Sequence, residues 1–267
     1  MREFFRYFFG AATEAEGAEF HHFTLAHFLP ILLAAGVVYL IWHFRDKLRE
    51  DPKLDMRLRW VLGFAMIVCE MSYYWRLSVL PELGGNVQEH LPITVCGWAT
   101  IFGSYMIITK SQALFDITYF WIFSGSIFAL ITPTVISYTG PTRFRFYQFW
   151  GEHLLAYVAV FFLIFVHGMR PNRRSIVRAG VLLTLLSFLA MGVNKMLGSP
   201  ANYLFMAEPE STPSILDILP PVFIVRIIVM AAAVALLFFL SYLPWLLLDR
   251  RAAKAAAAEA VTETAEE

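Results

Sequence analysis

The feature of this sequence that most constrains its fold is a series of apolar stretches, each about 20 residues long. A helix of that length crosses the hydrocarbon core of a bilayer. The chain is 58% hydrophobic and only 16% charged, whereas a soluble domain is typically about one-quarter charged. Basic and acidic residues balance at 21 each, so the net charge indicates no nucleic-acid partner. The sequence therefore predicts an all-α, polytopic membrane protein.

Hydropathy divides the chain into about seven membrane-spanning segments. They are 23–44, 59–80, 91–110, 114–138, 147–167, 175–198 and 219–248. Before this membrane domain (23–248), residues 1–22 are predicted to form an interfacial segment outside the membrane, because Arg6 and the acidic residues that follow are untypical of a cleaved signal. After it, residues 249–267 have low complexity and no hydrophobic face, which predicts a frayed or disordered cytoplasmic tail.

The distribution of positive charge predicts the orientation. Lysines and arginines are numerous in the first and fifth loops and after the last segment, and the third loop has Lys110. Loops 81–90 and 199–218 contain none, and loop 139–146 has Arg143 and Arg145. Cytoplasmic loops carry the excess of Lys and Arg in membrane proteins. The N-terminus is therefore predicted to lie outside the membrane and the C-terminus in the cytoplasm.

Polar residues within the segments lie mostly at one depth. Such residues are costly in a bilayer and usually face the bundle interior or a water-filled cavity. The rise per residue of a helix places those of six segments in the outer leaflet and leaves the inner halves nearly free of them. This bias predicts a polar pocket that opens outward beneath loop 199–218. The residues that it suggests for the pocket are His27, Glu70, Arg76, Thr94, Cys96, Thr132, Glu152, His153, Asn194, Asn202 and Asp217.

Two of these residues, Cys96 and His153, can form a nucleophile and base. They lie at nearly equal depth from the predicted outer face, and an imidazole can take the proton of a thiol. The alternative is that Cys96 packs as a small hydrophobe, which is common for free cysteines. Neither Cys96 nor Cys69 has metal-ligand spacing, and no metal or other cofactor is predicted.

Glu152 precedes His153 directly but points about 100° away from it on a helix. It shares a face with Ala156 and Ala159, whose small size predicts close packing against a neighbouring helix. A buried carboxylate needs a cationic partner or a proton, and Arg76, at similar depth, is the predicted partner. The alternative for all of these polar groups is a purely structural role as hydrogen bonds between helices.

Several segments resemble a known family. FSGSIFALITPTV, RFYQFWGEHLLAYVAVFFLIFVHGMRP and VNKMLGSPANYLFMAEPESTPSILDILPP, together with LPITVC at 91–96, resemble the YwaF-type family of bacterial integral membrane proteins. The resemblance covers most of residues 24–221 and implies a location in the bacterial inner membrane. That family is more distantly similar to a eukaryotic multi-pass acyltransferase that makes ether phospholipids. The resemblance implies that catalysis in such an enzyme uses a membrane-embedded cysteine together with a histidine.

The resemblance implies roles for individual residues. Cys96 matches the cysteine that would accept the acyl group, and His153 matches the histidine that would act as general base. Asn202, Tyr203 and Asp217 match the outer-loop pattern of the family and would contribute to the pocket. Two departures stand out: Thr94 occupies a position where the family pattern has histidine, and LPPVFI at 219–224 replaces a tryptophan-rich ending.

Three functions are compatible with this pattern. The first is a lipid-directed acyltransferase, or acyl hydrolase, that uses Cys96 and His153 on a membrane phospholipid as acyl donor. The second is a binding or transport protein whose pocket holds a small amphipathic ligand. The third is a non-catalytic structural membrane protein in which the buried polar groups only hold helices together.

Overall fold

In the computed structural model, which describes residues 2–11, 20–133, 139–208 and 218–266, the chain is helical, and these residues contain no strand. Two single 3₁₀ turns, Pro81–Leu83 and Tyr203–Phe205, lie in the loops, and a π-helical turn, Ile122–Ser126, joins two of the helices. The helices are α1 (Arg2–Phe9), α2 (Leu25–His43), α3 (Arg45–Glu50), α4 (Pro52–Val79), α5 (Val95–Thr109), α6 (Gln112–Trp121), α7 (Ile127–Ile131), α8 (Phe144–His167), α9 (Arg173–Leu197) and α10 (Phe223–Glu266).

Five helical stretches in the described residues are long and apolar enough to cross a membrane. They are Leu25–His43, Gln112–Ile131, Phe144–His167, Arg173–Leu197 and Phe223–Glu259. The prediction of an all-α polytopic membrane fold is confirmed. The second and third predicted segments correspond to α4, which is long but carries more charge, and to α5, which has 15 residues. The total of seven spans and the orientation of the chain stay predictions.

Local sequence signals set the helix ends. Asp51 caps α4 by accepting the backbone N–H groups of residues 53 and 54, and Pro52 follows at the first helical position. Asn172 and Ser175 form a reciprocal capping box at the start of α9. Gly168 ends α8 in the left-handed conformation, with φ of 66°, which glycine adopts without steric cost.

Helix α8 is the centre of the bundle and packs against α2, α4 and α5. Small side chains allow these helices to approach closely. Ala156 and Ala159 of α8 are completely buried, as predicted for the face that Glu152 shares. The Thr100 hydroxyl donates a 2.8 Å hydrogen bond to the Glu152 carbonyl and so ties α5 to α8. Helix α9 packs on α6, and α10 packs on the π-helical turn.

Two boundaries differ from the prediction. The fourth segment is predicted to continue to residue 138, but α7 ends at Ile131, shortly before Pro133, which cannot donate a helical hydrogen bond. Residues 134–138 lie outside the described part of the chain. Helix α10 continues to Glu266 through the tail that is predicted to be frayed or disordered. Alanine, the main residue of this tail, has the highest intrinsic helix propensity.

Candidate functional site

Cys96 lies in the first turn of α5, at the end of the bundle where α8 begins. Thr94 is the N-cap of α5, and its hydroxyl oxygen accepts the Gly97 N–H at 3.0 Å. Thr94 therefore has a defined structural role at the position where the family resemblance leads us to expect a histidine. Cys96 itself is a half-buried free thiol, and Cys69 is also free.

His153 is buried on α8 and faces Cys96. Its Nδ1 lies 2.7 Å from the Phe149 carbonyl oxygen. Because a carbonyl only accepts, Nδ1 carries the proton, and the lone pair of the neutral ring is on Nε2. The imidazole interacts electrostatically with the Cys96 side chain. Nε2 is therefore the nitrogen available to receive the thiol proton.

The π-helical turn Ile122–Ser126 also lies next to Cys96, in addition to α8. If Gly125, within this turn, had a Cβ, that atom would lie 4.0 Å from the Cys96 sulfur and 3.0 Å from the side chain of Val95. The Tyr157 hydroxyl donates a 2.7 Å hydrogen bond to the Ile122 carbonyl of the same turn. π-Helical turns are rare and occur often at functional sites. The sequence signal that could have indicated the turn is the run of small residues in IFSGS at 122–126.

Glu70 of α4 is buried beside the first turn of α5. Its carboxyl group lies so close to Gly97 that a Cβ at that position would meet Glu70 Oε1 at 2.6 Å. The other oxygen, Oε2, is buried and has no hydrogen-bond partner among the described residues. Glu70 and Glu152 interact electrostatically with each other and with His153. Two acidic groups therefore flank the imidazole.

Glu152 is paired with Arg145, and the predicted pairing with Arg76 is wrong. Arg145 lies 3.8 Å from Glu152 Oε2, and the Gln148 amide donates to the same oxygen at 3.1 Å. Residues 145 and 152 are seven apart on α8 and therefore share a face. Arg76 instead donates to the carbonyls of Phe9 and Gly10 at the end of α1. Arg76 and Glu152 lie at similar depth along their helices, but their side chains point in different directions and do not meet.

The Arg145 guanidinium also links the site to the loop between α4 and α5. It lies over the Tyr73 ring, 4.6 Å from the ring centre, and the Tyr73 hydroxyl is 2.8 Å from Nδ1 of His90. Burial lowers the pKa of His90 in this loop below its ordinary value. Arg145 and Gln148 are residues of this site that depth counting did not single out.

His27 and Thr132 are placed away from the Cys96–His153 pair. The Nδ1 of His27 accepts the Phe23 N–H at 2.9 Å, and Nε2 lies 2.7 Å from the Leu130 carbonyl. Both ring nitrogens thus bind backbone, which fastens the start of α2 to the end of α7. The Thr132 hydroxyl donates back to the Phe128 carbonyl of its own helix at 3.4 Å. The contacts of both residues are structural.

Asn194, Asn202 and Tyr203 organise the loop after α9. The Asn194 amide binds both the N–H and the carbonyl of Tyr203, at 2.8 and 3.0 Å. The Tyr203 hydroxyl donates to the Val87 carbonyl and accepts the Leu91 N–H, so it ties this loop to the one before α5. Asn202 holds the loop internally through three hydrogen bonds. Asp217 lies outside the described residues.

The opposite end of the bundle is not free of buried polar groups, contrary to the prediction from depth. Asp55 and Arg59 form a buried 3.0 Å ion pair, and His167 Nε2 lies 2.8 Å from the second oxygen of Asp55. Arg59 also donates to the Ile107 carbonyl near the end of α5. His167, the last residue of α8, therefore belongs to this network.

Comparison with models of known protein families matches residues 21–242 to the TMEM164 family. The chain belongs to this family. The family match and the five long apolar helices both indicate a multi-pass membrane protein. No curated protein and no solved structure matches the sequence. Within the described ranges, no three His, Cys, Asp or Glu residues are arranged to hold a metal ion.

Proposed function

We propose that this TMEM164-family protein is a lipid-directed acyltransferase in which Cys96 is the nucleophile and His153 the general base. The observation that carries the proposal is a buried imidazole whose Nδ1–H is held by a carbonyl and which interacts electrostatically with the free Cys96 thiol. This tautomer leaves Nε2 free to accept a proton from sulfur. The family resemblance of the LPITVC and QFWGEH segments supports the same two residues.

In the first half-reaction, Nε2 of His153 takes the Cys96 proton as the sulfur attacks the ester carbonyl of a donor phospholipid. A carbon–sulfur bond forms and the ester carbon–oxygen bond breaks. The imidazolium returns its proton to the departing alkoxide, which leaves as a lysophospholipid. The product on the protein is a thioester at Cys96.

In the second half-reaction, His153 removes the proton of an acceptor hydroxyl, whose oxygen then attacks the thioester carbonyl. The new ester forms, the carbon–sulfur bond breaks, and the proton returns to sulfur. With a lysophospholipid as acceptor, the net reaction is acyl transfer; with water, it is hydrolysis. The same two residues serve both outcomes.

The surroundings of the pair favour this charge movement. The first turn of a helix has N–H groups without intrahelical partners and a partial positive charge, so the start of α5 stabilises negative charge at Cys96. Glu152 interacts electrostatically with His153, which favours the imidazolium that forms when the thiol loses its proton. Negative charge on sulfur and positive charge on the ring are therefore both supported.

The direct test is capture of the thioester. Purified protein is incubated with a phospholipid whose acyl chains carry an alkyne, and peptides are examined by mass spectrometry before and after neutral hydroxylamine, which cleaves thioesters. The expected result is a hydroxylamine-sensitive acyl group on Cys96, absent from Cys96→Ala and formed about 10²–10⁴-fold more slowly in His153→Gln. Cys69→Ala is the matched control, because the Cys69 thiol donates to the Gln148 carbonyl instead of contacting His153.

Two outcomes would overturn the proposal. One is no acyl group on Cys96 in folded wild-type protein supplied with a range of phospholipid donors. The other is labelling that persists in Cys96→Ala or is unchanged in His153→Gln. If phospholipid instead binds without a covalent product, and binding survives Cys96→Ser, the protein is a binding or transport protein.

A further inference from the structure

An open groove lies between α6 and α9 at the end of the bundle opposite to Cys96. Its volume is about 700 Å³, which is in the range of sites that hold small molecules. Its apolar wall includes Val177 and Val181, whose side chains are 64% and 55% exposed on α9. Ile117 of α6 lies beneath them and is buried. Because α9 is long and apolar enough to cross a membrane, its exposed apolar wall is suited to contact with lipid chains.

The remaining part of the groove is basic. Arg173, Arg174 and Arg178 line it. Arg178 pairs with buried Asp116, so its charge is already compensated. Arg173 and Arg174 are exposed, and neither has an acidic partner in residues 2–11, 20–133, 139–208 or 218–266. The rim of the groove therefore carries two uncompensated positive charges.

The position of Arg178 is held from beneath. Asp116 also accepts 2.7 Å hydrogen bonds from the Ser175 hydroxyl and from the Gln112 amide. Ser175 in turn belongs to the capping box that begins α9. A buried hydrogen-bond network therefore joins α6 to α9 beneath the basic rim, and this network fixes the backbone that carries the arginines.

We propose that this groove binds the headgroup and upper acyl chain of an anionic phospholipid. The order of side chains along α9 matches the order of groups in a phospholipid, in which a charged headgroup is followed by an acyl chain. Arg173 comes first, and Val177 and Val181 follow it by about 6 and 12 Å along the helix axis. A phosphate at the rim would contact Arg173 and Arg174 while its acyl chain lies on the valines. Basic pockets between membrane helices bind anionic headgroups in this way. The exposed apolar wall favours a lipid over a soluble phosphate.

The test compares two lipids that differ only in headgroup charge. Detergent-purified protein is titrated with dioleoyl phosphatidylglycerol or dioleoyl phosphatidylcholine, and bound lipid is counted by native mass spectrometry. Wild type is expected to bind phosphatidylglycerol more tightly. Because each arginine near a membrane surface contributes roughly fivefold to the attraction of an anionic lipid, the variant R173Q/R174Q is expected to lose about 25-fold in affinity for phosphatidylglycerol. Inorganic phosphate at the same concentrations is expected not to displace the lipid.

The matched control is R250Q/R251Q, which removes two exposed arginines from α10, outside the groove. It is expected to bind phosphatidylglycerol like wild type. A second variant, Val181→Trp, fills the apolar wall without changing charge and is expected to weaken phosphatidylglycerol binding as well. Thermal unfolding in the same detergent confirms that each variant folds.

The proposal is overturned if R173Q/R174Q binds phosphatidylglycerol as wild type does, or if the control pair weakens binding equally, since the charges would then act as a general basic surface. Displacement by inorganic phosphate would also overturn it, because the site would then recognise a free anion. The proposal is independent of acyl transfer at Cys96, which lies at the other end of the bundle.

Discussion

Replacing Gly97 with alanine tests whether α4, α5 and the candidate nucleophile are packed as described. A Cβ at position 97 would lie 2.6 Å from Glu70 Oε1 and 2.7 Å from the Thr94 hydroxyl oxygen. Carbon and oxygen atoms do not remain this close without displacement. Either the buried carboxyl of Glu70 must move or the cap of α5 must open, and both changes shift the turn that carries Cys96.

The size of the effect follows from three contributions. Overpacking a buried site costs about 1–3 kcal/mol, and loss of the Thr94 cap costs about 1 kcal/mol more. In the opposite direction, alanine stabilises a helix by about 0.5–1 kcal/mol relative to glycine. The net destabilisation is therefore about 1–3.5 kcal/mol, which lowers the melting temperature by roughly 2–14 °C in a chain of this size.

The measurement is thermal unfolding of the purified protein, followed by tryptophan fluorescence. Gly36→Ala is the matched control, because a Cβ at that position in α2 meets nothing within 4 Å, and its melting temperature should stay the same or rise slightly. Glu70→Ala removes the atom that clashes, so in that background the penalty of Gly97→Ala should shrink. Equal melting temperatures for Gly97→Ala and Gly36→Ala, or strict additivity with Glu70→Ala, would refute the packing described for Glu70.

Three further predictions concern groups outside the Cys96–His153 pair. Asp55→Ala leaves Arg59 buried without its carboxylate and should cost about 3–5 kcal/mol in chemical denaturation, whereas Asp46→Ala, at an exposed ion pair, should cost less than about 1 kcal/mol. Burial lowers the pKa of His90 below 6.5, so the folded protein favours the neutral ring. The stability this gives is complete above pH 6.5 and is lost as pH falls through the lowered pKa; the melting temperature of wild type should therefore fall below pH 6.5 more steeply than that of His90→Gln. Asn194→Leu should speed amide hydrogen exchange in the loop that its side chain holds, and unchanged exchange would contradict that role.

Helix type and approximate bounds could be predicted wherever apolar runs meet cap residues. The predicted segments 147–167 and 175–198 agree closely with α8 (Phe144–His167) and α9 (Arg173–Leu197), because a glycine ends the first and a capping box begins the second. The fourth segment was harder, since the π-helical turn at Ile122–Ser126 leaves hydropathy unchanged. Composition therefore predicts how long a membrane helix is better than where its hydrogen bonding changes.

The candidate site could be predicted only in part, because helix rise gives depth but not direction. Glu152 and Arg76 match in depth, yet Arg76 turns to the end of α1 and Glu152 to Arg145. His27 is also predicted to belong to the pocket because of its depth, although both nitrogens of its ring bind backbone groups. Those backbone partners become visible only when the chain is folded, because carbonyl and N–H groups are present at every position of the sequence.

Hydrogen-bond satisfaction separates the two polar ends of the bundle more clearly than depth does. At the end opposite to Cys96, both oxygens of Asp55 and both oxygens of Asp116 have partners, as expected of groups that only hold helices together. Beside His153, by contrast, Glu70 Oε2 and Gln148 Oε1 are buried without a partner among the described residues. Buried acceptors left open cost stability, so each one in a native protein requires an explanation such as local strain, a functional role or a bound water. The open acceptors therefore distinguish the Cys96 end from the Asp55 and Asp116 networks, whose contacts only hold helices together.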